Sequence, residues 1–429
     1  MRFLPHTDAD RQHMLKTIGA SHIDELYAHV PKESYLTDLL DLPLHQPEAA
    51  IEQKLNRLSL KNHAAHEGPF FLGAGSYYHH IPASVDHIIQ RSEFLTAYTP
   101  YQAEISQGTL AVIFEFQSMV AAITGMEVAN ASMYDGSTAT AEAAMMARRI
   151  TKRDNVLIHG VLHPHYMETL STYFKHLGGD IRSNDTPDEH TACVIVQTPD
   201  FHGNIHTLDE LRNACDRVGA LLIVVVTEVI SLGMLPAPSQ ADIVVGEGQS
   251  LGNALQFGGP YVGFFACKSQ FIRQMPGRLC GKTVDADNKP SFVLTLNTRE
   301  QHIRREKATS NICTNQGLCA TAFTIHLSLL GESGFKHLAQ LNHENACLLA
   351  DKLQAIEGIT VENETFFNEF VIKSSAPVAP IAQTLTSQGI IPGYVLDEHR
   401  LLVTATEMTS QDDMDQLCAA LTNALSAAR

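Results

Sequence analysis

The sequence has no apolar run long enough to cross a membrane; its longest apolar runs have about the length of a strand. The N-terminal residues MRFLPHTDAD lack the apolar core of a signal peptide, so we expect a cytoplasmic protein. The eight cysteines form no C-x-x-C pair, and the closest two, Cys313 and Cys319, match no common metal-site spacing. We therefore expect reduced thiols and no metal.

Basic residues are also scarce. Lysine and arginine number 30 against 47 acidic residues, the net charge is −17, and no basic run is longer than Arg304–Arg305. This excludes nucleic acid and anionic membranes as expected partners. The apolar fraction of 44% and the charged fraction of 18% are typical of a soluble enzyme, and 429 residues predict two or three domains.

Residues 1–65 predict an N-terminal helical arm. Thr7, Asp8 and Asp10 are typical of a helix start, and Gly19 predicts the end of that helix after Ile18. Two more helical stretches are predicted over residues 23–29 and 49–57. The arm has few large apolar residues for its length, so we expect it to bury them against another surface, of this chain or of a partner.

Residues 66–320 alternate strands with helices, which predicts an α/β domain with a mixed, mostly parallel sheet of roughly seven strands. The predicted strands are 128–131, 155–159, 180–182, 192–197, 221–226, 243–245 and 261–266. The predicted helices are 107–124, 137–150, 166–177 and 208–218.

Residues 321–429 predict a small C-terminal α+β domain. Its predicted strands are 370–373 and 401–404, and its predicted helices are 316–330, 336–356 and 381–388. Thr409 with Asp412 resembles a capping box and predicts the start of a last helix that ends near Ala428.

The stretch Ala241–Phe265 is the most informative part of the chain. A predicted strand is followed by a loop rich in glycine and then by a second predicted strand. This layout presents a lysine to pyridoxal phosphate (PLP) in many aminotransferase-like enzymes, but the nearest lysine here is Lys268, beyond the second strand. The spacing from Gly246 to Gly252 only approximates a dinucleotide fingerprint, because it lies late in the sheet and leads into a strand.

Three further positions are candidates for binding. Gly136, Ser137 and Thr138 begin a predicted helix after a strand and could hold a phosphate, although Asp135 or Ser137 could equally cap that helix. His163 follows a strand where PLP enzymes place a ring against the pyridine, but a loop histidine is more often a surface residue. Glu228 ends a strand and could pair with a pyridine nitrogen or simply be solvated.

Two polar segments complete the candidates. The loop around Thr99–Glu104 combines hydroxyl, aromatic and carboxylate side chains, as functional loops often do. The run Arg299–Gln316 mixes charges of both signs with hydroxyls and amides directly before a helix. A surface ion-pair network explains such a run, but its density of hydrogen-bonding groups favours a domain junction or an interface.

Three of these segments carry a family resemblance. The segments Thr99–Gly108, Ala129–Gly136 and Arg299–Gln316 closely resemble the P-protein of the glycine cleavage system, glycine decarboxylase, and the resemblance spans nearly the whole chain. The length and the missing lysine match the α form (subunit 1) that occurs where the P-protein is split into two related chains. The resemblance implies the aminotransferase-like fold type I of PLP-dependent transferases.

The same resemblance implies a division of roles between two chains. The β chain carries the Schiff-base lysine, and Ser250 stands about where that lysine would sit. Glu228 falls near the acid that pairs with the pyridine nitrogen. Many α chains have Asp-Pro at this point, whereas this chain has Glu228-Val229, which suggests that the position is not under catalytic constraint.

The implied reaction is decarboxylation of glycine. PLP forms an aldimine with glycine and acts as an electron sink while CO₂ leaves, and the aminomethyl group passes to the lipoyl arm of H-protein. The expected assembly has two α and two β chains, with PLP held mainly by the β chain and with no NAD or metal on this one. A serine makes no imine, so we expect this chain to complete and shape the site of its partner.

The expected residues form two sets. Those expected to line the shared site are Tyr98, Thr99, Tyr101, Gln102 and Glu104. Those expected to be equivalent to a cofactor site are Gly136, Ser137, Thr138, His163 and Ser250. The alternatives from other classes are an NAD-binding dehydrogenase that uses the glycine loop and an inert scaffold with an empty pseudo-site.

Overall fold

The computed structural model describes residues 6–36, 38, 40–96, 100–183 and 185–428. The chain divides into two compact units, an arm of residues Met1–His63 and a body of residues Ala64–Arg429. The further division of the body near residue 320 stays a prediction. None of the helices in the described ranges combines the length and the apolar character needed to cross a bilayer.

The arm contains the helices α1 (Asp8–Ile18) and α2 (Glu48–Ser59). The predicted start of α1 is confirmed, because Thr7 and Asp10 exchange capping hydrogen bonds, and Gly19 ends the helix in the left-handed conformation. The stretch predicted over 23–29 is a shorter 3₁₀ turn, Ile23–Tyr27.

The apolar side chains of the arm are accessible. No described residue of the arm is buried. On α2, Ile51, Leu55 and Leu58 follow the spacing of one helix face, and their exposed fractions are 39%, 58% and 48%. Such a face is stable in water only when another surface covers it.

The body is built from the following elements. Its helices are α3 (Ala83–Ile89), α4 (Gln107–Thr124), α5 (Gly136–Thr151), α6 (Pro164–Phe174), α7 (Asp209–Val218), α8 (Gln301–Arg304), α9 (Gly317–Gln354), α10 (Val378–Ser387) and α11 (Gln411–Ala428). Its strands are β1 (Val128–Ala129), β2 (Asn155–His159), β3 (Ile181–Ser183), β4 (Thr191–Gln197), β5 (Leu221–Val226), β6 (Ile243–Glu247), β7 (Gly263–Cys267), β8 (Leu279–Val284), β9 (Pro290–Thr295), β10 (Ile359–Val361), β11 (Glu369–Ser374), β12 (Tyr394–Val395) and β13 (Arg400–Thr404).

The main sheet has seven strands in the order β1-β7-β6-β5-β4-β2-β3. The pairs from β3 through β2, β4 and β5 to β6 are parallel, and β7 runs antiparallel to both of its neighbours. The predicted mixed, mostly parallel sheet of about seven strands is therefore confirmed.

Helices cover both faces of this sheet. In β5, Leu222, Val224 and Val226 pack into the apolar cluster that includes α4, α7 and α9. The alternate residues Ile223 and Val225 pack into the cluster that includes α5 and α6. Because successive side chains of a strand point to opposite faces, the continuous apolar run of β5 fits a strand buried on both sides. Parallel strands also end at one edge, which is where an open α/β sheet binds its ligands.

A second, four-stranded antiparallel sheet lies near the C-terminus, in the order β10-β11-β13-β12. The long helix α9 joins the two regions: Phe323 and Leu327 belong to the core of the main sheet, whereas Ala346 and Leu349 belong to the C-terminal core. Gly331 has non-helical backbone angles and divides α9 into the two predicted helices.

Several expectations differ from the structure. The strand predicted over 128–131 is only Val128–Ala129, the helix predicted over 166–177 is Pro164–Phe174, and the C-terminal sheet has β10 and β12 beside the two predicted strands. The capping box of α11 is formed by Ser410 and Asp413 instead of Thr409 and Asp412, because the Thr409 hydroxyl accepts from the backbone N–H of Thr406. The hairpin β8–β9 was not predicted. Half of β8 is exposed and no residue of β9 is fully buried, so neither strand is a buried apolar run.

Candidate functional site

The N-terminus of α5 is capped by the chain itself. Asp135 is the N-cap residue, and its Oδ1 accepts hydrogen bonds from the Thr138 backbone N–H and the Ser137 hydroxyl, both at 2.7 Å. The Thr138 hydroxyl donates to the same oxygen at 2.8 Å. Of the two alternatives, the structure shows the helix cap. The Ser137 and Thr138 hydroxyls, which were expected to hold a phosphate, donate to the Asp135 carboxylate.

A second carboxylate lies at the same helix end. Glu247, the last residue of β6, accepts from the backbone N–H groups of Gly136 and Val262, each at 3.0 Å. Burial raises the pKa of Glu247 to about 7, although these two hydrogen bonds oppose the rise. A Cβ at Gly136 would also collide with the Tyr166 hydroxyl. The anion position of the helix is therefore filled by carboxylates of the chain.

Ser250 and Glu228 meet beyond the carboxyl ends of β5 and β6. The Ser250 hydroxyl donates to Glu228 Oε2 at 3.1 Å, and His79 Nε2 lies 3.0 Å from the same oxygen. The other oxygen of Glu228 accepts from the Ile230 backbone N–H. The position equivalent to a lysine and the position equivalent to an acid are thus bonded to each other. Glu228 is buried and not solvated.

His79 links two carboxylates. Its Nδ1 lies 2.8 Å from Glu407 Oε2, and its side chain and that of Glu228 are only 2% and 3% exposed. Burial lowers the pKa of His79, but the carboxylates of Glu407 and Glu228 outweigh burial and raise it to about 10. Burial also raises the pKa of Glu407, whereas the charge of His79 and its hydrogen bonds bring it down to about 2. At neutral pH the imidazolium is held between its two carboxylates.

The segment that carries His79 also covers His163. His163 Nδ1 accepts from the His165 backbone N–H at 3.1 Å, so its Nε2 carries the proton and donates to the Ala74 carbonyl at 2.7 Å. Gly75 has a φ of +91°, and a Cβ there would lie 2.7 Å from the His163 ring. Burial lowers the pKa of His163. Residues 73–79 thus pack against the edge of the His163 ring.

The same segment is bound from two more directions. Gln249 exchanges hydrogen bonds with the backbone N–H and carbonyl of Tyr77, at 3.0 and 3.1 Å. The Tyr77 hydroxyl donates to Glu369, which also accepts from the Ala74 backbone N–H. Burial raises the pKa of Glu369 to about 7. We call residues 73–79 the plug segment.

These contacts decide how well a cofactor fits. A resident pyridoxal phosphate needs a lysine and a free helix N-terminus for its phosphate. At these places the structure has Ser250 and the carboxylates of Asp135 and Glu247. These residues do not fit the cofactor.

The glycine loop does not match a dinucleotide site either. Gly246 lies inside β6, where it pairs with Val226, and the loop leads to β7 instead of to a helix. A dinucleotide fingerprint relies on a helix N-terminus for the pyrophosphate. In the described ranges, no group of three or more His, Cys, Asp or Glu side chains is placed to hold a metal ion.

A second group of contacts surrounds Tyr101. Its hydroxyl accepts from Arg278 Nη2 at 2.6 Å, and the guanidinium lies over its ring at 4.6 Å from the centroid. Arg278 also donates to the Thr314 hydroxyl and the Cys313 carbonyl. Arg278 therefore joins two of the segments that carry the family resemblance. We call Tyr101, Arg278, Cys313 and Thr314 the Tyr101–Arg278 cluster.

The other expected lining residues lie near Tyr101 in the chain. Gln102 directly precedes the 3₁₀ turn Ala103–Ile105, and Glu104 lies within it. Both residues are exposed. Tyr98 and Thr99 lie outside the described residues. Tyr101 is 51% exposed, so the cluster leaves an aromatic edge accessible next to a buried cation.

Sequence reasoning missed His79, Glu407 and Arg278. His79 and Glu407 are 328 positions apart, and nothing local to either residue signals the pairing. Arg278 directly precedes β8, a strand that was not predicted. Recognising the hairpin β8–β9 would have brought Arg278 close to the polar run Arg299–Gln316, and this proximity could have indicated its role.

The comparisons with known proteins agree in one family. A sequence profile described as "Glycine cleavage system P-protein" matches residues 1–421. A probable glycine dehydrogenase (decarboxylating) subunit 1 from Beijerinckia indica is 53% identical over 442 residues, covering 98% of this chain and 99% of that protein. The protein of the same description from Erythrobacter litoralis is 54% identical over 452 residues, covering 99% and 100%.

Solved structures give the same result. The chain is similar to glycine decarboxylase (P-protein) of the glycine cleavage system in an inhibitor-bound form, with a TM-score of 0.90, 39% identity and coverage of 99% and 100%. The sphingosine-1-phosphate lyase of Burkholderia pseudomallei matches with a TM-score of 0.66 at 14% identity, covering 93% and 95%. At that identity the match shows the fold alone, and it confirms the expected fold type I of PLP-dependent enzymes.

Proposed function

Because the chain belongs to the glycine cleavage system P-protein family, we propose that it is the glycine decarboxylase subunit that lacks the cofactor lysine. With a related second chain it decarboxylates glycine, releases CO₂ and passes the aminomethyl group to the lipoyl arm of H-protein. PLP supplies the electron sink for this reaction and is bound by the partner. The assembly contains two chains of each kind.

The plugged pseudo-site is the observation that carries this proposal. The imidazolium of His79 lies between Glu228 and Glu407, and Ser250 is bonded to Glu228, so the position of the cofactor lysine holds a hydroxyl that makes no imine. Asp135 and Glu247 satisfy the N–H groups that a phosphate would need. Because such a subunit does not hold the cofactor itself, it contributes to the reaction by completing the site of its partner. The exposed apolar face of α2 supports such a contact.

The Tyr101–Arg278 cluster is the surface proposed to reach the shared site. Tyr101, Gln102 and Glu104 line it in this proposal. Tyr98 and Thr99 are expected there from the sequence alone, because they lie outside the described residues. Arg278 is a positioning residue and is only 3% exposed. Its guanidinium donates hydrogen bonds to the Tyr101 hydroxyl, the Cys313 carbonyl and the Thr314 hydroxyl, and so fixes all three. A fixed ring and hydroxyl orient a small substrate at a lower entropic cost than a mobile loop does.

Titration with cofactors separates this function from the alternatives. We expect the isolated chain to show no saturable change in absorbance or fluorescence with PLP or with NAD, and the complex with its partner to bind PLP only. Saturable NAD binding by the isolated chain would favour a dehydrogenase. A stable lysine-bound PLP on the isolated chain would contradict the proposed division of roles.

Replacing Tyr101 with phenylalanine tests the proposed lining. The variant removes the hydroxyl that accepts from Arg278 and keeps the ring, so we expect glycine–bicarbonate exchange by the assembled enzyme to fall by about tenfold or more. Glu104→Gln should also lower exchange. Association with the partner, measured by sedimentation, should not change in either variant.

A matched control is Tyr394→Phe, which alters an exposed tyrosine on β12. We expect its exchange rate to equal that of the wild type. Wild-type exchange in both Tyr101→Phe and Glu104→Gln would assign the Thr99–Glu104 loop to structure alone.

A further inference from the structure

A cavity of about 300 Å³ lies among basic side chains at the surface of the body. Four of its lining residues are cations: Arg273, Arg299, Arg304 and Lys307. The hydroxyl residues Thr298 and Thr309 line it as well, and none of the described residues that line it is acidic. We call it the basic cavity.

Within the described ranges, none of the four cations of the basic cavity forms an ion pair. Arg299 donates to the carbonyl oxygens of Leu296 at 3.2 Å and Gly277 at 3.1 Å, and it also binds the Met275 carbonyl. Carbonyl oxygens hold the guanidinium in place without cancelling its charge.

The acid next to Arg299 in the chain is Glu300. Burial lowers the pKa of Arg299, and the charge of Glu300 opposes this, although Glu300 forms its ion pairs with other groups. The Glu300 carboxylate lies 3.9 Å from Arg278 Nε and 3.6 Å from His302 Nδ1. Some other arginines of the surface are paired, such as Arg182 with Asp185 and Asp188 at 3.1 Å.

The unpaired cations of the basic cavity matter because the whole chain is acidic. A net charge of −17 repels anions at long range, whereas a concave group of cations produces a locally positive potential that concentrates them. Like charges gathered around one cavity also repel each other, and an anion removes this cost. Binding of a multivalent anion in the basic cavity therefore lowers the free energy of the protein.

We propose that the basic cavity binds a small phosphate-bearing anion, such as a phosphate ester or a pyrophosphate. Guanidinium groups match the oxygens of phosphate in a two-point geometry, and lysine and threonine side chains supply further donors. The volume suits a small ligand. The carbonyl-anchored Arg299 forms a fixed part of the cavity, and the exposed Arg304 and Lys307 lie at its opening.

Calorimetric titration of the assembled, cofactor-loaded enzyme with pyrophosphate and with inorganic phosphate tests the proposal. The buffer should be phosphate-free and low in salt, because salt screens the attraction. We expect one saturable site for each copy of this chain. The double variant Arg304→Gln, Lys307→Gln should raise the Kd for pyrophosphate by about tenfold or more, since it removes two charged donors.

The control variant Lys175→Gln, Arg217→Gln removes the same amount of charge from exposed positions elsewhere on the body. Its Kd should stay within about twofold of the wild type. Equal weakening in both double variants would show non-specific attraction and overturn the proposal. So would the absence of saturable binding, or tighter binding of citrate than of pyrophosphate. Loss of partner association in the Arg304–Lys307 variant without any anion binding would reassign the cavity to a protein interface.

Discussion

Replacing His79 with glutamine is expected to lower the free energy of unfolding of this chain by about 3–5 kcal/mol. The imidazolium is buried between the carboxylates of Glu228 and Glu407, at 3.0 and 2.8 Å. Glutamine cannot carry the positive charge, so two buried carboxylates would face each other without a cation. The midpoint of urea unfolding measures the loss.

Two further variants make this test specific. His80→Gln changes the next residue, whose side chain is exposed, and should leave the midpoint unchanged. Adding Glu407→Gln to the His79 variant should restore part of the stability, because it removes one of the uncompensated charges. A loss below about 1 kcal/mol in His79→Gln would show that the imidazolium does not hold the plug segment.

The pH dependence of stability has a definite sign. The pKa of His79 is raised to about 10, so its contribution is complete below its ordinary pKa of 6.5 and is lost as the pH rises through 10. Glu247 and Glu369, with pKa values raised to about 7, also destabilise the fold as the pH rises from 4.5 through 7. Glu407 acts oppositely, because its stabilising charge is lost as the pH falls from 4.5 through 2. His79→Gln should therefore make the decline in stability between pH 7 and 10 less steep.

Local patterns predicted much of the fold. The bounds of α4, β2 and β5 agree with the structure residue for residue, because each is a regular apolar pattern closed by a glycine or a polar residue. The hairpin β8–β9 has no such pattern. Its strands are held by pairing with each other and by packing against α4, through Cys280 and Phe292. Contacts of that kind depend on residues distant in the chain.

The site divides in the same way. The cap of α5 depends on Asp135 and Thr138, three residues apart, and the sequence offered it as one of two alternatives. The contacts of His79 with Glu228 and Glu407 join residues that are distant in the chain. Only the tertiary fold brings these three side chains together. The missing lysine indicated what this chain lacks, whereas the residues that replace the cofactor became visible only in the structure.

Introducing a lysine at position 250 is expected not to restore a catalytic site. Ser250 is 2% exposed and its hydroxyl lies 3.1 Å from Glu228, so a lysine there would add a second cation beside His79. The phosphate position would still be filled by Asp135 and Glu247. A working site needs all of these groups aligned to within about half an ångström.

The measurement that tests the division of roles most directly is therefore glycine–bicarbonate exchange by the Ser250→Lys chain without its partner. The controls are the isolated wild-type chain and the wild-type chain recombined with its partner, and borohydride reduction with peptide mapping locates any lysine-bound PLP. We predict exchange only in the recombined sample and no pyridoxyl group at position 250. Exchange by the isolated Ser250→Lys chain, with the pyridoxyl group mapped to that lysine, would contradict the account.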